Sequence, residues 1–460
     1  MMEKKKVHFV GIGGISMSGI AEILLGKGYH VSGSDQKDSH LLDKLKDLGA
    51  EIYIGHHPGN IKDAEVLVVS SAISETNPEL KYARKKGLKI MKRAEMIAEL
   101  MKGLRGIAVA GTHGKTTTTS MTASVLLEGG ADPTILLGGE LDIIGGNSYS
   151  GKGGFLLTEA DESDGSFLYY DPEIIVITNI EMDHHDYYSS EEKLMETFRK
   201  FLERLPEEGK AVVCAEDDNL MSLVDKKDKR VLSYGIGKGK IQALDYQLFP
   251  FGSIYTLAAE GQELARINLK TPGRHNILNS LAAATVGLET GMSIQSIKRG
   301  LENYNGVRRR FEKKGLLGDI LVVDDYAHHP TEIEATLKVA KNTGYERVIA
   351  VFQPHRYSRT QHLFNEFLDC FEGVDHLIIT DIYSAGEKPI AGVDSEKLAR
   401  QIARKNKFPV DYIARREDLV LYLEKIAKNR DLIITLGAGD VYKIGEMFIA
   451  NWKKKAREMA

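Results

Sequence analysis

Cysteine is scarce in this chain: Cys214 and Cys370 are the two among 460 residues, far apart and without Cys-x-x-Cys spacing. That scarcity argues against a disulfide framework and a cysteine-ligated structural zinc site, and it fits a reducing cytoplasm. Long basic runs with interleaved aromatics are missing too, and 61 basic against 65 acidic residues leave a net charge of -4. Nucleic acid is therefore not an expected partner, whereas a small anionic substrate stays open. No run approaches the roughly eighteen apolar residues of a membrane span, so membrane insertion is not expected. Lys4 to Lys6 before VHFVGIGGISMSGIAEILL imitates a signal peptide. Gly11, Gly13, Gly14 and Ser16 interrupt that apolar run, however, and Ile20, Ile23 and Leu24 continue it at helical spacing. Sequence repeats and low-complexity linkers are also missing.

What is present is length and alternation. A chain of 460 residues exceeds one ordinary core and predicts roughly three domains of about 150 residues each. Strand-like runs at Val7 to Val10, Tyr29 to Ser32 and Val66 to Ser70 alternate with helical segments, which is βαβ order and implies a parallel sheet. A second series starts with GIAVA after Gly103 and continues through Phe155 to Thr158 and Ile174 to Thr178. The segment Glu191 to Leu205 places Leu194, Phe198, Phe201, Leu202 and Leu205 on one helical face, a core pattern. Between Lys210 and Lys270 short alternating segments with Glu260-Gly261 as a hairpin turn predict some antiparallel strand. A third βα series runs from Ile320 to Val323 through Arg347 to Phe352, His376 to Thr380, Val410 to Ile413 and Leu432 to Leu436. The expected fold is α/β in three domains. A Rossmann-like amino-terminal domain spans 1–103, a P-loop-type central domain with a mixed sheet 104–307, and a Rossmann-like carboxy-terminal domain 308–460.

The sharpest chemical signal is GTHGKTT, residues Gly111, Thr112, His113, Gly114, Lys115, Thr116 and Thr117, directly after the apolar run Ile107 to Ala110. Glycines let backbone N–H groups approach phosphate oxygens, the lysine adds a mobile positive charge, and the hydroxyl after it can hold Mg²⁺. Val109 stands where the general phosphate-loop pattern has its first glycine, so this loop is shorter than most. In the first domain GIGGISMSG places Gly11 and Gly13 at two positions of a dinucleotide fingerprint, with Ser16 at the third, and Asp35 ends the next strand. That pattern serves NAD, another pyrophosphate-bearing nucleotide, or a merely structural turn.

Two polar clusters, TEADESD after Phe155 to Leu157 and NIEMDHHD after Ile174 to Ile177, fall at the predicted carboxyl ends of strands, where parallel sheets place ligands. Singly, Asp161 and Asp186 read as solvated surface. Glu159 and His184, beside a phosphate loop, read instead as donors to Mg²⁺ at a terminal phosphate, with Thr116 as the hydroxyl ligand. Asn276 and Asn279, in TPGRHNILNSLAAA, have amides suited to an adenine edge, although Asn276 also suits a helix cap. Further on, DDYAHHP and QPHRYSR end two strands of the third series. Asp324, Asp325, His328, Arg356 and Arg359 could bind an anionic substrate and a ribose, and Arg308 to Arg310 could clamp phosphates. The His pair next to Pro330, at a helix N-terminus, offers a capping feature as the lesser alternative.

Taken together, GTHGKTT, GIGGISMSG, EADESDGSF, NIEMDHHDYY, GRHNILN, VRRRF, DDYAHHP and FQPHRYSR resemble, in order and spacing over nearly the whole chain, the Mur ligases. These are ATP-dependent amide-bond ligases of peptidoglycan precursor synthesis. The motif set is most similar to members that join L-alanine to the lactyl carboxylate of UDP-N-acetylmuramate through an acyl phosphate, giving ADP and phosphate. The resemblance implies ATP and Mg²⁺ as cofactors, and UDP-N-acetylmuramate with L-alanine as partners. It implies a first domain holding the UDP moiety at Gly11, Gly13, Gly14 and Asp35, with no NAD. It implies that Lys115 and Thr116 serve ATP and Mg²⁺, that Glu159 binds the same metal, and that His184 helps hold a second. Asn276 and Asn279 would lie near adenine, Arg310 and Asp324 would meet nucleotide from the third domain, and Tyr326, His328 and Arg359 would receive the amino acid.

Relatives that add later amino acids carry a carbamoylated lysine where this chain has Arg199, so that lysine's role is unassigned here. His185 stands where the family's common motif DHMD has methionine, so either neighbouring ring is a metal candidate, with His184 preferred by position. Three alternatives remain: a murein peptide recycling ligase adding a tripeptide to the same UDP sugar, an NAD-dependent oxidoreductase, and a non-catalytic nucleotide-binding regulator. Oligomeric state, and selectivity among alanine, glycine and serine, are not legible.

Overall fold

A computed structural model describes residues 5–70, 72–184 and 187–458; His185 and Asp186 lie outside the described residues. The strand series expected from the sequence assemble into three sheets of five, ten and six strands. The first is wholly parallel, in the order Glu51–Ile54, His30–Asp35, Lys6–Val10, Val66–Val69, Lys89–Lys92. Its order reverses beside Lys6–Val10, so the turn Gly11 to Gly14 opens at a switch point, where doubly wound sheets take ligands.

The middle sheet is mixed. Its strands lie in the order Gln262–Leu269, Gly252–Ala259, Ile241–Phe249, Val231–Ile236, Lys210–Cys214, Ile174–Ile177, Arg105–Ala110, Phe155–Glu159, Thr134–Leu141, Gly146–Tyr149. Antiparallel pairing is confined to the two ends: the meander from Ile241 to Leu269, which turns at Glu260-Gly261, and the hairpin Thr134 to Tyr149. Residues Ile107 to Ala110 are wholly buried, as a strand covered on both faces must be. The strand therefore presents nothing but its carboxyl end, from which the phosphate loop leads into helix Lys115–Glu128.

The hairpin Thr134 to Tyr149 was not expected from sequence. It docks helix Ile15–Gly26 of the first sheet: the amide of Asn147 donates to the Ile15 carbonyl at 2.5 Å, and Ser148 donates to Glu22 at 2.8 Å. One apolar core accordingly runs from Val7 through Val68 into Ile107 and Ile177.

In the carboxy-terminal sheet the order is Glu312–Leu317, Ile320–Asp325, Asp431–Leu436, Arg347–Phe352, His376–Ile379, Val410–Tyr412, with the first strand antiparallel. The last strand inserts beside the first parallel one, so the carboxyl ends of Ile320–Asp325 and Arg347–Phe352 flank Gly437 and face the middle sheet.

Candidate active site

Loops from all three sheets line one cleft of about 1450 Å³. The first sheet contributes Ile15, Ser16, His40 and Arg93; the middle sheet Thr112 to Thr116, Glu159, Asp161 and His184; the third Arg308 to Arg310, Tyr326, His328, Arg356 and Arg359.

The phosphate loop is held from behind. Gly111 has φ +120°, and a Cβ there would stand 2.2 Å from Thr178 Oγ1, so only glycine fits. The His113 amide donates to the Asn179 side chain at 2.9 Å, and Thr178 Oγ1 and Asn179 Nδ2 donate to the His113 carbonyl at 2.6 and 3.0 Å. Gly114, at φ +81°, would bring a Cβ to 2.7 Å from Asn279 Oδ1. Lys115 Nζ curls onto the loop, donating to the carbonyls of Gly111 at 2.6 Å and Thr112 at 3.1 Å and to Glu162 at 2.9 Å. Burial works against its charge, yet Glu162 and Asp161 outweigh it and hold the amine above its usual value.

Carboxylates outnumber cations around that lysine. Glu159 accepts from Thr116 Oγ1 at 3.0 Å and from the Gly138 amide at 2.6 Å. Glu162 is buried, and its Oε2 has no hydrogen-bond partner. Burial pushes both glutamates above the usual carboxylate range. Asp161, Glu162 and His184 place one potential ligand atom each within 4.8 Å of one another. An excess of hard oxygen donors with an orphaned carboxylate oxygen fits a divalent cation such as Mg²⁺. Arg199, at the place of the relatives' modified lysine, is exposed and paired with Glu196 at 2.8 Å, so it does not join this cluster.

Opposite stands the third sheet. Its His pair divides two roles: His329 caps helix Pro330–Lys341, accepting from the Thr331 amide at 3.4 Å, while His328 lines the cleft. Burial drives the His328 imidazole down to about 3, so it is neutral at physiological pH. Arg310 and Arg309 place their guanidinium carbons 5.0 and 4.9 Å from the Tyr326 ring centre. Arg309 also donates to Asp324 at 3.1 Å. Arg356, at φ +69°, lies 3.4 Å from Glu387.

Several sequence candidates lie off the cleft lining. Asp324 is wholly buried and accepts from Thr435 Oγ1 at 2.6 Å. Asn276 donates to the Pro272 carbonyl at 2.7 Å, and Asn279 accepts from Thr118 Oγ1 at 3.1 Å, so both amides are engaged within the protein. Asp35 accepts from the Gly13 amide at 2.9 Å, closing the turn Gly11 to Gly14, where Gly11 has φ +80°. Gly111 and Thr117 are likewise buried and off the cleft lining. Conversely, sequence reasoning did not single out Glu162, Asp183, Glu181 or Glu332. Asp183 and Glu162 lie inside the quoted acidic motifs; Glu332 was readable only as the third residue of a His329 capping box.

Three family profiles match in chain order: Mur ligase family, catalytic domain over residues 6–105; Mur ligase middle domain over 109–287; and Mur ligase, glutamate ligase domain over 309–439. The chain belongs to the Mur ligase family. This Mur ligase is 48% identical over 448 residues to the UDP-N-acetylmuramate–L-alanine ligase of Trichlorobacter lovleyi, covering 97% of this chain and 98% of that one. It is 48% identical to the enzyme of the same name from Geobacter sp. (strain M21), with 98% of both chains covered. Among solved structures, MurC from Thermotoga maritima superimposes with a TM-score of 0.83 at 28% identity, covering 98% of this chain and 100% of that one. The murein peptide ligase from Psychrobacter arcticus matches with a TM-score of 0.71 at 23% identity, covering 97% and 98%, and so shares the fold. Among the described residues, no helix of this Mur ligase is long and apolar enough to cross a membrane.

Proposed function

We propose that this chain is an ATP-dependent ligase that joins L-alanine to the lactyl carboxylate of UDP-N-acetylmuramate through an acyl phosphate, releasing ADP and phosphate in the cytoplasm as a step of peptidoglycan synthesis. The observation that carries this reading is the single cleft in which a phosphate loop, a carboxylate cluster and an arginine-histidine wall from three sheets meet. Near-half identity over almost the whole chain to relatives bearing that activity's name supports it. The division of labour follows the sheets: residues 1–103 for the UDP moiety, 104–307 for ATP, 308–460 for the amino acid and part of the nucleotide.

A carboxylate is a poor acylating agent at neutral pH, and phosphorylation turns its oxygen into a leaving group. Lys115 must leave Glu162 and the loop carbonyls to meet the phosphates, where its charge stabilises the transferring group. Thr116 and Glu159, with His184 nearby, would hold Mg²⁺, which supplies charge neutralisation at the terminal phosphate. Tyr326, His328 and Arg359 would receive L-alanine. A neutral His328 can accept a hydrogen bond from the attacking amine and orient it, and Arg310 faces the nucleotide from the third sheet. Closing the cleft excludes water that would hydrolyse the acyl phosphate.

The test is ADP production with UDP-N-acetylmuramate, screened across L-alanine, glycine, L-serine and a murein tripeptide, with ¹⁸O in the lactyl carboxylate. L-Alanine-dependent turnover and transfer of ¹⁸O to phosphate are expected. Turnover with the tripeptide alone would make the chain a recycling ligase, and unlabelled phosphate would sink the acyl-phosphate route.

A further inference from the structure

Where the phosphate loop meets the third sheet lies a second cluster with a different donor set. His113 of the loop donates or accepts at both nitrogens: Nε2 is 2.9 Å from Glu181 Oε2, and Nδ1 is 3.1 Å from Glu332 Oε1. His329, on the third sheet's side, places its ring centre 4.8 Å from that of His113, tilted by 48°, and brings Nδ1 to 3.9 Å from Glu181 Oε1. His329 is 3% exposed, and its Nε2 has no hydrogen-bond partner; to bind a cation there the ring must shift its proton to Nδ1 and give up the 3.4 Å contact with the Thr331 amide. One donor atom from each of His113, Glu181 and His329 lies within 4.8 Å of the others.

We propose that His113, Glu181 and His329 form a site for a borderline transition-metal cation, with Zn²⁺ as the type ion, that fastens the phosphate loop to the third sheet. Two imidazoles and one carboxylate are a zinc set, unlike the oxygen-rich cluster that suits Mg²⁺. Small side-chain rotations bring such donors to the roughly 3.3 Å separations of a tetrahedral ion. Glu332 occupies the position of an orienting carboxylate: with Nδ1–H directed at it, Nε2 of His113 is the nitrogen left to bind metal. Coordination releases the proton that His113 Nε2 otherwise shares with Glu181. Glu181 is 40% exposed at its side chain, which opens a path for the ion and leaves a fourth position for water. A bound ion ties the loop carrying Lys115 to helix Pro330–Lys341.

The test titrates ZnCl₂, and CoCl₂ as a visible probe, into the full-length chain without nucleotide, read by calorimetry, Co²⁺ d–d absorption and thermal unfolding. One tight site per chain is expected, with unfolding temperature rising on Zn²⁺ addition because the folded chain alone presents the site. His329→Asn, which keeps a capping side chain, should weaken binding by more than about 10-fold, as should Glu181→Gln from the opposite side of the seam. His184→Gln should leave it unchanged. Absence of a stoichiometric site, indifference to both His329→Asn and Glu181→Gln in folded protein, or loss of binding in His184→Gln would overturn the proposal. These readouts do not depend on ligase turnover.

Discussion

Arg359 grips Asp183 from the far side of the cleft: Nη2 donates to both carboxylate oxygens at 3.1 and 3.2 Å, and Nε adds a third contact at 3.3 Å. Both side chains are buried, at 6% and 8% exposed, so this pair joins the middle and carboxy-terminal sheets out of water. Burial opposes the charge on Asp183, but the Arg359 guanidinium outweighs it and holds the carboxyl far below its usual range. A substrate carboxylate recognised by Arg359 must share or displace that grip.

Removing one partner of a buried pair leaves the other charge uncompensated. Asp183→Ala should therefore cost about 3 kcal/mol of stability by denaturant unfolding. Arg359→Lys, which keeps charge and loses the fork, should raise the KM for L-alanine by at least ~10-fold with a smaller change for ATP. Equal changes in both KM values would argue against a role for Arg359 at the amino acid.

Lys115 and Glu162 should separate activity from stability. Lys115→Met is expected to lower ADP production by at least ~10²-fold and to destabilise the fold by stranding Glu162. Adding Glu162→Gln should recover stability and not activity. Recovered turnover in the double variant would remove Lys115 from phosphate chemistry.

Gly111→Ala places a methyl group against Thr178 at a backbone angle that alanine resists, and should cost roughly 1–3 kcal/mol and abolish nucleotide binding. Gly154→Ala, where a Cβ meets nothing within 4 Å, should be near neutral. Comparing unfolding midpoints and ADP binding of the two variants checks this.

Acid stability should depend on Glu79. Burial opposes its charge, while His8, Ser34 and Asn60 outweigh it and bring the carboxyl to about 2 from 4.5. The folded value is the lower one, so the stabilisation is complete above about pH 4.5 and fades as pH falls toward 2. Glu79→Gln should flatten that limb of a stability–pH curve. An unchanged limb would assign acid sensitivity elsewhere.

The sequence by itself determined the three βα series, the phosphate loop and the strand-end motifs, because period-two and period-3.6 patterns, glycine turns and Lys-Thr spacing act over a few residues. Glu159, Lys115, His328 and Arg359 were legible for that reason. The tertiary structure alone decided which of them meet. The hairpin Thr134 to Tyr149 carries weak local signals and forms because helix Ile15–Gly26 covers it. Asp324 and Asn279 look like ligands in sequence, yet they fold inward to Thr435 and Thr118, and Lys115 is held by Glu162, 47 positions away. Glu332 contacts His113 across 219 positions, a pairing made only when two sheets pack and water leaves the seam between them. Local chemistry is written in spacing, whereas burial and charge balance arise from distant segments that exclude solvent together.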